Sequence, residues 1–129
     1  VIGSFNTESC KDDYIFVPLS YFDNYSPLSF TVSGFKINDY KTSKSGTGKV
    51  DTGLAVLFMP LEQYLAVYNM LKPDFDDDLQ ILTTSCSNRG KFPKMIFTIG
   101  GRDFALSSNY YVVKIFDLDD GRCAFAIEA

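Results

Sequence analysis

The sequence predicts a mainly β domain, and three observations lead to that fold class. The chain has 129 residues, which is enough for one compact domain with its own core. It contains 12 phenylalanines and 8 tyrosines, residues that favour strands. Short apolar segments alternate with turn residues, and a single segment has helical spacing. Strands and helices therefore do not alternate, which argues against a parallel α/β fold and favours antiparallel hairpins.

The first third of the chain predicts a strand, a hairpin and a loop. Residues 14–19 (YIFVPL) form an apolar segment whose proline indicates an edge strand or a strand end. Residues 28–39 (LSFTVSGFKIND) alternate in two short arms around Ser33 and Gly34, which predicts a hairpin with its tight turn there. The polar residues 41–49 (KTSKSGTGK) predict a flexible loop.

The middle of the chain predicts a buried strand followed by the only clear helix. Residues 54–59 (LAVLFM) are too short for a buried helix and are typical of a buried strand. Pro60 suits the first position of a helix that ends before Pro73. The apolar positions predicted to share one face of this helix are Leu61, Tyr64, Leu65, Tyr68 and Leu71.

The last part of the chain predicts an acidic loop and more strands. Residues 73–78 (PDFDDD) lack the ligand spacing and the glycine of a calcium loop, so a solvated connection is expected. Residues 79–86 (LQILTTSC) alternate as a strand. Two further hairpins are predicted, at residues 94–106 with a turn at Gly100-Gly101 and at residues 110–128 with a turn at residues 119–121.

Composition excludes several classes of function. The net charge of -4 and the pI of about 4.6 argue against binding to nucleic acid or to an anionic membrane surface. The absence of histidine excludes a Ser-His or Cys-His nucleophile and a histidine-based zinc site within this chain. Acid-base chemistry must then come from carboxylates, tyrosines or lysines. No apolar segment has membrane-spanning length, and residues 1–10 do not have the pattern of a signal peptide.

Three cysteines, Cys10, Cys86 and Cys123, have a spacing that fits no metal knuckle. In an oxidising compartment they could form one disulfide and leave one thiol, and in the cytosol they could remain three buried thiols. Cys10 is expected either as a free buried thiol or as a partner of a segment outside this chain. Asn24 begins a glycosylation triplet that Pro27 follows closely.

The triplet Asp51-Thr52-Gly53 is the candidate catalytic motif. Two carboxylates in contact cannot both ionise, so such a pair holds one shared proton. One member can then activate water while the other polarises an amide carbonyl. The glycine permits a tight turn and brings its amide to the carboxylate, and the threonine can stabilise the loop. A simpler interpretation is an ordinary turn at a strand end, where aspartate and glycine are common.

Four motifs follow one another along the chain: LSFTVSGFKIN at residues 28–38, VDTGLAVLFMP at 50–60, LEQYLAVYNML at 61–71 and FPKMIFTIGGRDFALSSNYYV at 92–112. In these motifs and their order the chain resembles the C-terminal lobe of the pepsin-like aspartic proteases. The resemblance extends over nearly the whole chain, and the last motif is the most specific.

The resemblance implies an endopeptidase with an acidic optimum, a peptide or protein substrate, no metal and no cofactor. Asp51 would be the catalytic residue, Thr52 and Gly53 would support the loop, and Leu54 and Ala55 would line the substrate cleft. Cys86 and Cys123 would form a disulfide. The second aspartate and the substrate-covering flap would belong to an N-terminal lobe. A secreted protein or a lysosome-like acidic compartment would be expected.

The chain departs from the family pattern in ways that separate the functional hypotheses. The family carries hydroxyl residues where this chain has Leu54 and Ala55, and leucine cannot donate a hydrogen bond to the carboxylate. Residues 1–129 are expected to form a single domain that lacks the final closing strand, and this piece alone is expected to be inactive. The alternatives are a catalytically dead pepsin-like module that binds peptides, a self-dimerising protease, and a β domain whose Asp51 is a turn residue.

Overall fold

The fold is described by a computed structural model that covers residue 8 and residues 14–20, 28–115 and 120–129. These residues contain eleven β-strands and two short α-helices, so the predicted mainly β fold of antiparallel hairpins is confirmed. No helix in these ranges is long and apolar enough to cross a membrane. The elements are β1 Ser29–Ile37, β2 Tyr40–Thr42, β3 Gly46–Lys49, β4 Leu57–Phe58, α1 Leu61–Leu71, β5 Asp74–Asp76, β6 Ile81–Ser85, β7 Met95–Ile99, β8 Arg102–Leu106, α2 Ser108–Tyr111, β9 Val112–Val113, β10 Arg122–Phe125 and β11 Ile127–Glu128.

Strand β1 is the centre of the first antiparallel sheet. Its order is β2-β1-β7-β8, and β3 pairs with the N-terminal half of β1 while β2 pairs with the C-terminal half. The turn between β7 and β8 is at Gly100 and Gly101, as predicted, and both glycines have positive φ. Residues 41–49, expected as a loop, instead contribute to β2 and β3 because both strands find hydrogen-bonding partners on β1.

The predicted hairpin turn at Ser33-Gly34 is wrong, because β1 continues through these residues as one strand. Val32 pairs with Ile99 and Gly34 pairs with Thr98, so Ser33 is an extra residue and forms a β-bulge. A bulge shifts the side-chain alternation by one position, which produces two alternating arms in the sequence without reversing the chain. The actual turn follows β1, between Ile37 and Tyr40.

The strand predicted at residues 14–19 is also wrong, since residues 14–20 form no strand. Its attachments include one backbone hydrogen bond, from the Ser20 amide to the Ser29 carbonyl at 2.7 Å, and side-chain packing. A Cβ placed at Gly100 would lie 3.1 Å from Val17 Cγ2 and 3.3 Å from Ile15 Cδ1. The segment therefore packs on the β7–β8 turn, and a side chain at position 100 would crowd it.

The second sheet has the order β5-β6-β10-β9 and is antiparallel throughout. Strand β6 confirms the strand expected within residues 79–86, although it begins two residues later than Leu79. The acidic segment 73–78 is not entirely a loop, because Asp74–Asp76 pairs with β6. A disulfide with an S–S distance of 2.01 Å joins Cys86, directly after β6, to Cys123 in β10.

The last hairpin is only partly as predicted. Tyr110 and Tyr111, expected in a strand, belong to α2, whose first turn is capped by the Ser107 hydroxyl. Strand β9 then pairs with β10. Residues 116–119, which include the first residue of the turn predicted at residues 119–121, lie outside the described residues, and so do Cys10 and Asn24.

Helix α1 has nearly the predicted bounds, but only part of the predicted face is buried: Leu71 lies in the core and Tyr64 packs against it. Pro60 is its N-cap rather than its first helical residue. Val67 and Leu71 are fully inside, whereas Leu61, Leu65 and Tyr68 are 62%, 47% and 36% exposed. The helix carries apolar side chains on most of its circumference, so the spacing of these residues alone does not indicate which face is buried.

The core is continuous and receives residues from all three sheets and both helices. It lies between the inner face of the first sheet, α1 and the second sheet. Its members are Phe35, Ile37, Met59, Val67, Leu71, Leu82, Met95, Tyr111, Val112, Cys123, Phe125 and Ile127. One shared core explains why these elements can hold the Asp51 loop in a defined position.

Candidate active site

The Asp51 loop starts where strand pairing stops. The ladder between β3 and β1 ends at Lys49 opposite Ser29, and one further bond runs from the Val50 amide to the Leu28 carbonyl at 3.3 Å. Asp51 is the next residue and is exposed. The ladder therefore fixes the backbone on one side of the triplet.

The triplet itself is a tight turn closed by the aspartate. The Gly53 amide donates a hydrogen bond to Asp51 Oδ1 at 2.9 Å. A Cβ at Gly53 would lie 3.3 Å from the same oxygen, which would crowd it. Thr52 is exposed at the top of the turn. This bond orients the carboxylate and leaves its second oxygen without a hydrogen bond among the described residues.

Asp51 lies at the border of an apolar groove of about 980 Å³. One wall is the inner face of the first sheet, and the other wall is the segment after the triplet. The bulge in β1 keeps Phe30 and Val32 on the same face as Phe35, and all three line the groove. The remaining wall residues that matter for the site are Leu54, Ala55, Leu57 and Phe97.

Leu54 and Ala55 line the same groove as Asp51, so the structure brings the predicted cleft residues together with the predicted catalytic residue. However, the buried strand expected at residues 54–59 is wrong for most of its length. Leu54 is 52% exposed, and only Leu57 and Phe58 are in a strand. The reason is that a partner strand is present beside these two residues only.

Strand β4 and strand β11 form a parallel pair that anchors the end of this segment. The Leu57 amide donates to the Ala126 carbonyl, and the Met59 amide donates to the Glu128 carbonyl, both at 3.0 Å. Each strand has two residues. Parallel sheets are normally covered on both faces, yet this pair adjoins the open groove.

Two carboxylates line the groove, Asp51 and Glu62. The Glu62 carboxylate lies 3.9 Å from Lys44 Nζ in an exposed ion pair. Glu62 is therefore already paired with Lys44. Among the described residues that line the groove, no second carboxylate is paired with Asp51. Among the residues that the structure describes, no group of three or more Cys, Asp or Glu side chains could hold a metal ion.

Tyr111, which the sequence did not single out, lines the groove from α2. Its hydroxyl donates a hydrogen bond to the Pro93 carbonyl oxygen. Burial raises the pKa of Tyr111 to about 12. Because it is buried and bonded to the backbone, Tyr111 supports the groove wall and does not suit acid-base chemistry. The sequence gives no signal for this role, because the neighbouring Tyr110 is the same residue type and is 74% exposed.

Known proteins agree with this architecture. A family model described as eukaryotic aspartyl protease matches residues 1–129. Aspartic protease 1 of Caenorhabditis elegans is 31% identical over 125 residues, which is 97% of this chain and 31% of that protein. Renin-2 of Mus musculus is 27% identical over 132 residues, which is 100% of this chain and 32% of that protein.

The match covers only part of each relative. Aspartic protease 17 of Caenorhabditis elegans is 31% identical over 127 residues and is likewise covered over 31% of its length. The chain thus spans about a third of the length of the relatives it matches. On the match over its full length, the chain belongs to the eukaryotic aspartyl protease family.

Proposed function

We propose that this chain is one lobe of an aspartic endopeptidase, in which Asp51 supplies one of the two catalytic carboxylates. The observation that supports this most is the position of Asp51: an exposed turn, held by the Gly53 amide, at the border of an apolar groove. Family membership supports the hydrolase class. The expected substrate is a peptide or protein.

The chemistry requires a second carboxylate in contact with Asp51. With one proton shared between the two groups, the ionised member removes a proton from water, and the resulting hydroxide attacks the amide carbon. The protonated member hydrogen-bonds to the carbonyl oxygen. The carboxyl that took the proton from water delivers it to the amide nitrogen as the carbon–nitrogen bond breaks, which restores the pair to its starting state. The hydrogen bond from Gly53 orients Asp51 so that its other oxygen can face the partner.

We assign the second carboxylate to an N-terminal lobe. We assign the cover of the groove to that lobe and to a closing strand. The support is structural: β4 and β11 are a two-residue parallel pair beside an apolar groove. A further strand would pair with an open edge of β4 or β11 and cover Phe30 and Val32. The 129 residues alone are accordingly expected to be inactive.

The direct test uses a polypeptide of the relatives' length that contains these residues. We expect it to cleave peptides at acidic pH, to be inhibited by a statine-type transition-state mimic, and to lose at least about 1,000-fold in kcat/KM with Asp51→Asn. Asp103→Asn is the matched control, because Asp103 is in β8 and accepts a bond from the Thr98 hydroxyl, away from the groove. Undiminished cleavage by the Asp51 variant would exclude the proposed role.

A second candidate function is peptide binding without catalysis. Leu54 supports it, since a half-exposed leucine stands beside Asp51 where the resemblance leads one to expect a hydroxyl. Under this alternative the full-length protein binds peptides at acidic pH without cleaving them. Combined Leu54→Thr and Ala55→Ser substitutions would then introduce cleavage. Efficient cleavage by the unsubstituted protein would eliminate this candidate.

We also assign the protein to a secretory or acidic, lysosome-like route. The Cys86–Cys123 disulfide supports this, because such bonds form and persist in oxidising compartments. Fractionation of the native cells, with detection of the oxidised form of the protein, would test the assignment.

A further inference from the structure

An ionic cluster outside the groove connects strands that are not neighbours. Arg122 begins β10 and Asp76 ends β5, and β6 lies between them in the sheet. The Arg122 Nη1 atom nevertheless reaches Asp76 Oδ2 at 2.5 Å. The Arg122 Nε atom lies 2.5 Å from Asp120 Oδ2 in the turn just before β10. The guanidinium therefore reaches past β6 and connects β10 with the edge strand β5.

Asp76 is bonded on both oxygens. While Oδ2 receives Arg122, Oδ1 accepts the Leu79 amide at 2.9 Å and the Asp78 amide at 3.1 Å. The Asp76 side chain is only 10% exposed. One carboxylate thus fixes the β5–β6 turn and also ties this turn to β10.

The charged groups around the cluster are predominantly acidic. On β5 and its turn these are Asp74, Asp77 and Asp78, whereas β6 carries no charged residue. Strand β9 on the other side of β10 is followed by Lys114. Arg122 is the cation that directly contacts Asp76 and Asp120, and removing it would leave these two carboxylates without their shared counter-ion.

We propose that Asp76, Arg122 and Asp120 form an ionic clamp that keeps the β5–β6 turn attached to β10 in mildly acidic solution and releases this turn in stronger acid. Arg122 directly precedes Cys123 of the disulfide. The disulfide joins β10 to the residue after β6, whereas the clamp holds the turn before β6. This inference does not depend on the role of Asp51.

The titration behaviour supports the clamp. Hydrogen bonding by the Leu79 amide and by Arg122 lowers the pKa of Asp76. Hydrogen bonding by Arg122 lowers the pKa of Asp120. A carboxyl with a lowered folded-state pKa stabilises the fold above its unfolded pKa, and this contribution disappears as the pH falls through the folded value. The attachment therefore persists below about pH 4, where an ordinary aspartate protonates.

The test follows amide hydrogen exchange of residues 76–83 in the full-length protein from about pH 7 to about pH 2. In the unsubstituted protein we expect constant protection to about pH 4 and a loss below it. Asp76→Asn should lower protection of the Asp78 and Leu79 amides by about tenfold at neutral pH and remove the acid-dependent step. Asp77→Asn is the control, since the Asp77 side chain does not contact Arg122.

Two results would overturn the proposal. One is equal protection in the Asp76 and Asp77 variants. The other is a loss of amide protection in the unsubstituted protein at or above about pH 4, because protonation of an ordinary aspartate would then explain the loss. If Asp76→Asn does not fold, Arg122→Lys serves instead: lysine keeps the charge but cannot bind two carboxylates through separate nitrogens, so the step should move to higher pH.

Discussion

At the scale of single residues, hydrogen bonds to the backbone decide which polar side chains are fixed. Asp51 is oriented by one amide of its own turn, so short-range sequence was sufficient to predict that turn. Tyr111 differs, because its partner Pro93 is 18 residues away. No local pattern distinguishes Tyr111 from Tyr110, although one is buried and the other is exposed. The distinction arises from packing.

Substitution of the two tyrosines tests this contrast. Tyr111→Phe leaves the partly buried Pro93 carbonyl without this donor and should lower the free energy of unfolding by about 1–2 kcal/mol. Tyr110→Phe, the matched control, should change it by less than about 0.5 kcal/mol. Chemical denaturation with linear extrapolation provides both values. Equal effects in the two variants would show that the hydroxyl bond is unimportant.

The same tyrosine predicts an alkaline limit of stability. The pKa of Tyr111 is raised from 10.0 to about 12 by burial, so the folded state favours the protonated hydroxyl. Its contribution is fully present below about pH 10 and is lost as the pH rises towards about 12. Thermal unfolding over this window should show a steeper loss in the unsubstituted protein than in Tyr111→Phe. Parallel curves would contradict the assignment.

At the scale of elements, the first sheet accepts an unfavourable charge pair. Lys36 and Lys41 are directly opposite each other on β1 and β2, and both are exposed. Like charges in opposed positions of an antiparallel pair destabilise it. The pairing is retained because Phe35 and Ile37, on either side of Lys36, are buried in the core. A one-residue shift in register would expose both apolar side chains.

Reversal of one charge should therefore stabilise the sheet. Lys41→Glu replaces the repulsion with an attractive pair and should raise the free energy of unfolding by about 0.2–1 kcal/mol. The gain should diminish in about 1 M salt, since screening weakens exposed pairs. The control is Lys41→Glu in a Lys36→Ala background, where the gain should largely vanish. A gain that persists there would have another origin.

At the scale of the whole molecule, the disulfide stabilises the second sheet, because it joins the end of β6 to β10. It closes a sequence separation of 37 residues and places Cys123 in the core. The enclosed segment contains β7, β8 and α2, so the bond constrains most of the second half of the chain in the unfolded state. The groove, in contrast, depends on the first sheet and on β4.

Removal of the disulfide should be among the most costly changes. Replacing both cysteines with serine should lower the free energy of unfolding by about 3–4 kcal/mol, the chain-entropy value for a loop of this length. The single Cys86→Ser variant is a useful comparison, because it retains the small apolar Cys123 in the core. Denaturation under oxidising and reducing conditions measures both. A loss below about 1 kcal/mol would show that the bond contributes little.

The sequence by itself determined the features that depend on near neighbours. The span of α1 follows from Pro60 and Pro73, the β7–β8 turn follows from Gly100-Gly101, and the Asp51 turn follows from Gly53 two residues later. The order of motifs was also sufficient for the family. In each case the deciding interaction lies within a few residues, so local conformational preference and spacing carry the information.

Only the tertiary structure decided the features that depend on distant partners. Ser33 forms a bulge rather than a turn because β7 continues to pair beyond it. Residues 14–20 are held by packing on the β7–β8 turn and by one backbone hydrogen bond, from the Ser20 amide to the Ser29 carbonyl, rather than by a strand ladder. The buried face of α1, the groove beside Asp51 and the bond from Arg122 to Asp76 arise in the same way. Hydrogen-bond partners and burial are set by residues far along the chain, and their identity is absent from local sequence.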